Sequence, residues 1–264
     1  MKGAGVGDLI EQELTVWRAE GLLPAVAKFA RYVGSTIGPE DYLQRPIIKR
    51  VQSLSRDHNS FIDVGANIGM ITLPVAHLFE QCIAIEPLRE TFSKLEQSIK
   101  LQGLTNTNAL NCALGNERSV RSMYASKSSA DTASLAEYDD LRAHSQVNVD
   151  TLDSIVETYS VKPPILIKVD VQGWELHVFE GAAATLEKEC TVISEFWPWG
   201  LKSAGCKPQD YLEFMESRGY VPCSLAGRPF AKKKLDRLCR LGSNNRYVTT
   251  DLLYLKPMRD SGQV

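Results

Sequence analysis

The stretch from Phe61 to Gly69, FIDVGANIG, constrains this chain more than any other segment: an apolar strand reaches an acid and runs into a Gly-x-Asn-x-Gly turn that opens a helix. Gly65 and Gly69 remove side chains where the backbone must turn tightly, and amides freed at such a turn can receive the polar end of a nucleotide-type ligand. Asp63 places a carboxylate at the carboxyl end of the strand, where an amine could be held. Glu86 ends the next strand candidate, close to the ~20-residue offset at which an acid accepts both hydroxyls of a ribose, and Pro87 stops that strand. A nicotinamide site more usually carries G-x-G-x-x-G; Asn67 in the middle position and a third glycine one residue early argue against a dehydrogenase.

Beyond this turn, strands and helices alternate, the pattern of a parallel sheet covered on both faces. Strands are expected at 61–65, 82–86, 108–112, 165–170 and 191–196, with helices at 70–79, 88–102, 151–159, 175–188 and 208–218. GYVPCSL and RYVTTDLLYLKP supply two further strands, expected as a hairpin-like edge. Pro74 falls inside the first helix, where it predicts a bend or a late start. Residues 1–58 read as an N-terminal helical extension, with breaks near Pro24 and Gly38-Pro39, that either covers one edge of the sheet or caps a pocket; residues 59–264 read as the main α/β domain.

At 264 residues the chain can bury a substantial core, and a formal charge of −2 with a pI near 6.1 gives no global pull toward nucleic acid or anionic membrane. Small-molecule partners are expected instead. Six cysteines without a CxxC pair fit a reducing, cytoplasmic compartment. No apolar run reaches the ~18 residues of a membrane span, and the acidic start MKGAGVGDLIEQE is unlike a signal peptide. Nothing in the sequence sets the oligomeric state.

Ordered blocks along Phe61 to Pro257 resemble the FkbM family of S-adenosyl-L-methionine-dependent methyltransferases: FIDVGANIGMITL, AIEPLRETFSKLEQSIKLQGL, NALNCALGNE, VDTLDSIV, LIKVDVQGWELHVFEGA, VISEFWPWG and DLLYLKP. The resemblance implies a Rossmann-like seven-stranded sheet with helices on both faces, mostly parallel, whose last strand, 247–256, runs antiparallel. It implies that the turn formed by Asp63, Gly65, Ala66, Asn67 and Gly69 holds the methionine part of the cofactor. Glu86, with Pro87 beside it, would hold the ribose, and Ala113, with Leu114, Asn111 and Cys112 nearby, would flank the adenine. The implied reaction is O-methylation of a small molecule such as a sugar or secondary metabolite. N-methylation of a small amine and a non-catalytic cofactor-binding accessory subunit are the alternatives.

A sulfonium methyl is already electrophilic, so an acceptor oxygen mainly needs positioning and a destination for its proton. Asp170, at the end of ILIKVD, and Glu195, at the end of TVISE, are the candidate proton acceptors, and Asp170 is also expected to border the cofactor. Asp170 could equally serve as a structural acid at the turn into the following helix. Lys168 and Glu175 are supporting possibilities, while Gln172 cannot be a base. His58, His77, His144 and His177 lack the i, i+4 pairing of a helical zinc site; Asp170 and Glu195 on adjacent strands could share a hard cation that also binds a diol acceptor, but two carboxylates are too few to require one, and no metal is assigned. His144 is the histidine nominated to touch the acceptor, since imidazole suits proton transfer. Acceptor recognition is expected from residues 126–134 and from EFWPWG, where Trp197 and Trp199 either stack on the acceptor or seal the sheet; Lys232 to Lys234 read as a solvated loop.

Overall fold

A computed structural model of the chain describes residues 39–125, 133–138 and 142–257. In chain order the first elements are α1 (Pro39–Leu54), β1 (Ser60–Val64), α2 (Thr72–Val75), β2 (Gln81–Ile85), α3 (Arg89–Leu101) and β3 (Thr107–Leu110). There follow β4 (Ala113–Leu114), β5 (Ser119–Ala125), β6 (Arg142–Asp150), α4 (Leu152–Thr158), β7 (Ile165–Val169), α5 (Glu175–Glu180) and α6 (Ala183–Leu186). The remainder is β8 (Cys190–Phe196), α7 (Pro198–Ser203), α8 (Pro208–Glu216), β9 (Val221–Cys223), α9 (Lys232–Gly242) and β10 (Thr250–Leu255).

Seven strands form the main sheet in the order β3-β2-β1-β7-β8-β10-β9. All pairings are parallel except those of β10, which runs antiparallel to both β8 and β9. The Rossmann-like seven-stranded architecture expected from the sequence is thus the observed one. The strands are apolar throughout because both faces are covered: Ile62 and Val64 of β1 enter one core with α4, α5, α6, α8 and α9, while Phe61 enters the opposite core with α1 and α2. α1 packs on this second face through Ile47 and Val51, against Ile71 and Val75, and so covers a face of the sheet rather than its edge. Residues 1–38 of the expected helical extension lie outside the described residues. No helix among the described residues is long and apolar enough to cross a membrane.

Chain order reverses at β1, which has β2 on one side and β7 on the other, so a crevice opens beyond the carboxyl ends of these strands. Register sets what faces what there. Asp63 lies level with Ala84 on one side and Lys168 on the other, which brings the acid and the amine to the same height.

Several local expectations are corrected. The tail is no simple hairpin: α9 stands between β9 and β10, and Lys232 to Lys234 begin that helix rather than forming a loop. Its buried Leu235 and Cys239, four residues apart, carry the packing face, so the basic run is the solvent side of an amphipathic helix. The helix expected over 175–188 is two short ones broken at Gly181, where a Cβ would lie 2.0 Å from the Gly115 carbonyl oxygen. A second sheet, β4-β6-β5, was not anticipated. The first helix does start late, at Thr72, which places Pro74 in its first turn, where its missing N–H breaks no helical hydrogen bond.

Gly69 has φ +94°, and a Cβ there would meet Leu73 Cγ at 2.8 Å and Leu95 Cδ1 at 2.9 Å. Gly69→Ala is therefore expected to destabilise the fold by about 1–3 kcal/mol through backbone strain and overpacking, read as a lowered urea midpoint at unchanged m-value.

Candidate active site

A cleft of about 230 Å³ lies at this crevice, and Asp63, Gly65, Ala66, Asn67, Glu86, Pro87, Cys112, Ala113 and Asp170 all line it. Gly69 and Asn111 are not among its lining residues. Gly69 is occupied in packing, and the Asn111 carboxamide donates to the carbonyl oxygens of Glu86 (3.0 Å) and Pro87 (2.9 Å), bracing the loop from behind.

Gly65 is the residue on which the turn depends. At φ +78° its missing side chain admits the Asp170 carbonyl oxygen, which a Cβ would meet at 2.0 Å. The β1 and β7 ends are thereby drawn together, with the Asp170 amide donating to the Val64 carbonyl at 3.1 Å. The expectation that the turn offers free amides is corrected. Gly65 and Ala66 both donate to the Ile85 carbonyl, Asn67 to Glu86 Oε2, Ile68 to Asn67 Oδ1 and Gly69 to the Ala66 carbonyl. Three of these amides are spent on the end of β2 and two within the turn.

Asp63 is fully buried, and its Oδ2 accepts from Thr72 Oγ1 at 2.6 Å. Its Oδ1 lies 3.3 Å from Lys168 Nζ, an ion-pair distance, but receives no aligned hydrogen bond. Lys168 also donates to the Gly65 carbonyl at 3.1 Å and lies 3.8 Å from Asp170 Oδ2. Burial works against the Lys168 charge, yet Asp63 and Asp170 outweigh it and hold the pKa above its usual value, so the ammonium persists.

Glu86 is also buried. Oε2 accepts from the Asn67 amide (3.0 Å) and Oε1 from the Leu88 amide (2.9 Å), which leaves each oxygen a second lone pair toward the cleft. Burial pushes its pKa up to about 7, against the opposing effect of the two amides. Glu175 is likewise driven to about 7 by burial; its Oε1 accepts from the amides of Val171 and Gly173, tying the 170–173 turn to α5.

Glu195 does not line the cleft. Its carboxylate is enclosed at the end of β8, with Oε1 accepting from Thr249 Oγ1 (2.7 Å) and Oε2 from Gln172 Nε2 (3.3 Å). Burial, then the charges of Asp170, Glu175 and Asp251, its cross-strand neighbour, raise its pKa well above the carboxylate range. The same Gln172 nitrogen donates to Asp170 Oδ1 at 2.8 Å, so one carboxamide joins both acids. Gln172, at φ +55°, is clamped through its carbonyl by the hydroxyls of Ser134 and Tyr138. His144 stands on the exposed part of β6, outside the cleft, because burial on that strand begins only at Val147. Trp197 and Trp199 pack on Tyr138, with ring centroids 5.6 and 5.0 Å away, and half-buried Trp197 donates to the Arg246 carbonyl. Residues 126–132 of the expected recognition segment lie outside the described residues.

Sequence reasoning missed Gln44, Thr91, Met123 and Leu135 as cleft walls. Met123 comes from the unanticipated small sheet and Gln44 from α1; no spacing to the glycine turn announces either.

These residues fit the S-adenosyl-L-methionine that the sequence resemblance implies. Glu86 keeps acceptor capacity for two hydroxyls, the side-chain-free turn allows close approach, and Pro87, Ala113, Leu114 and Met123 give an apolar slot for a planar base. Glu86→Ala is expected to weaken calorimetric binding of this cofactor by the ~1.5–3 kcal/mol of a lost charged hydrogen bond. Buried Glu175 keeps a proton in the fold up to about pH 7 that the unfolded chain releases near ~4.3, so it favours folding at low pH and that stability is lost as pH rises toward 7. Glu175→Gln should flatten this decline in denaturation midpoints.

Residues 63–222 match the methyltransferase FkbM domain. Methyltransferase 1 of Beauveria bassiana (strain ARSEF 2860) is 30% identical over 146 residues, which is 47% of this chain and 59% of that protein, so the chain aligns with little more than half of this relative. Among solved structures, methyltransferase FkbM from Methylobacillus flagellatus KT is 16% identical with a TM-score of 0.45, covering 75% of this chain and 44% of that one. The O-methyltransferase TomG from Streptomyces achromogenes, solved with S-adenosylmethionine, is 11% identical with a TM-score of 0.44, covering 89% of each chain. Since the family match spans more than half of the sequence, from Asp63 through β9, the chain belongs to the FkbM methyltransferase family.

Proposed function

We propose that the chain transfers a methyl group from S-adenosyl-L-methionine to a hydroxyl oxygen of a small molecule, a sugar or secondary metabolite. The observation that carries this reading is Asp170: it lines the cleft at the end of β7, beside Gly65, with one oxygen engaged by Gln172 and the other toward Lys168. When bound, S-adenosyl-L-methionine supplies a sulfonium methyl that is already electrophilic.

The protein's part is to hold the acceptor in line and take its proton. Asp170 Oδ2 is the oxygen assigned to that proton, because Oδ1 is occupied by the Gln172 carboxamide. Lys168 Nζ lies 3.8 Å from Asp170 Oδ2, and burial raises the Glu195 pKa well above the carboxylate range, which works against a second negative charge beside Asp170 on β8. Gln172, fixed by Ser134 and Tyr138, sets the direction in which Asp170 points. Asp63, Gly65, Asn67 and Glu86 are assigned to the cofactor, with Pro87, Cys112 and Ala113 along its base. The small net negative charge supports a small acceptor over a nucleic acid. Residues 59–264 are assigned as the catalytic domain, with the preceding segment as an extension.

Incubation with S-adenosyl-L-methionine and a panel of sugar and secondary-metabolite hydroxyls should yield a product one methylene heavier, with the new group mapped to oxygen. Mapping to nitrogen would refute the oxygen assignment. Asp170→Asn should depress turnover by about 10²-fold or more, in line with general-base catalysis, while cofactor affinity stays near that of the wild type. Retained turnover would reduce Asp170 to a scaffold residue.

A further inference from the structure

We infer that Gln44, supplied by α1 from outside the family-matched region, is a cofactor-binding residue that receives the ammonium of the amino-acid end of S-adenosyl-L-methionine. The inference rests on the functional reading above.

Two buried acceptor atoms in the cleft walls lack a hydrogen bond among the described residues: Gln44 Oε1 and Asp63 Oδ1. A carbonyl oxygen buried without a donor is costly, and such an atom in a cleft wall marks a place where a bound group can complete it. Both atoms accept and neither donates, so the group that completes them must donate to both. A primary ammonium has three N–H donors and no acceptor. Its positive charge also suits Asp63, whose Oδ1 meets Lys168 only at 3.3 Å without alignment.

The position of Gln44 follows from the helix that carries it. Gln44, Ile47 and Val51 fall at i, i+3 and i+7, one face of α1, and the latter two are buried against Ile71 and Val75. The helix is thereby held with Gln44 at the cleft, where Met70 and Ile71, just past the glycine turn, also line the wall. α1 packs with Ile71, next to the Thr72 that donates to Asp63, whereas Ala113 and Leu114 follow β3, which lies beyond β2 from β1. A donor bound at Gln44 and Asp63 is the amino-acid end of the cofactor rather than its base. α1 is then part of the binding site as well as a cover for the sheet.

The test is calorimetric titration of the full chain with two ligands: S-adenosyl-L-methionine, and 5′-methylthioadenosine, which shares the nucleoside and lacks the amino-acid end. Gln44→Met, which keeps the length and apolar stem, should weaken S-adenosyl-L-methionine binding by roughly tenfold or more and leave 5′-methylthioadenosine binding unchanged. Gln44→Glu, which keeps an acceptor at the same reach, should retain the affinity for S-adenosyl-L-methionine. Equal loss for both ligands in Gln44→Met would mean that the residue only supports the wall, and unchanged affinity for both would mean that it touches neither; each overturns the assignment. A wild-type chain that binds neither ligand would instead overturn the functional reading, and this inference with it.

Discussion

The ammonium of Lys168 is the point on which the cleft depends. It is buried at the meeting of β1 and β7, paired with Asp63, bonded to the Gly65 carbonyl and near Asp170, so a single cation ties the strand end, the glycine turn and the candidate base. Strand register makes the arrangement obligatory, since Asp63 and Lys168 are direct neighbours across a parallel pair. A buried pair of this kind adds little to net stability compared with apolar residues, but losing either partner strands a charge at a cost on the order of 3–5 kcal/mol. Its role is to fix geometry, by setting Asp63 and Asp170 around one cation.

Around that cation the carboxylates divide by environment. Burial raises Glu86 to about 7 against the effect of two amides, whereas Glu195 is raised well above the carboxylate range by burial and by the charges of Asp170, Glu175 and Asp251. Gln172 joins Asp170 to Glu195 and is itself held by Ser134 and Tyr138 from the segment before β6. The segment inserted between β3 and β7 therefore contributes on both sides: Met123 lines the cofactor cleft, and the 133–138 strip holds the turn that aims the candidate base. The side chain that sequence reasoning excluded as a base is the one that organises the acids.

Features set by local chemistry were legible in the sequence. The apolar strands at 61–65 and 165–170 were placed within a residue of their observed ends, and Glu86, nominated from its offset to the glycines, lines the cleft just past the end of β2. Features that depend on distant backbone were not. Gly181 reads as an ordinary helical residue until the Gly115 carbonyl is brought against it, and the basic run of α9 hides a packing face of Leu235, Cys239 and Gly242 with half-buried Leu238. Whether turn amides are free is likewise a tertiary fact: Ile85 and Glu86 of the neighbouring strand end consume three of them. His144 and Glu195 illustrate the same limit, since strand position alone does not say whether a side chain reaches a cleft, a neighbouring acid or solvent.

The account comes to one arrangement: a nucleoside held by Glu86 across the Gly65 turn, with its amino-acid end toward Asp63. A crystal structure of the chain with S-adenosyl-L-homocysteine tests it most directly. The account predicts both ribose hydroxyls on the Glu86 carboxylate, the base against Ala113 and Met123, and the chain of the amino acid passing over Gly65. Density for the ligand at any other place, or a ribose that makes no contact with Glu86, would contradict it.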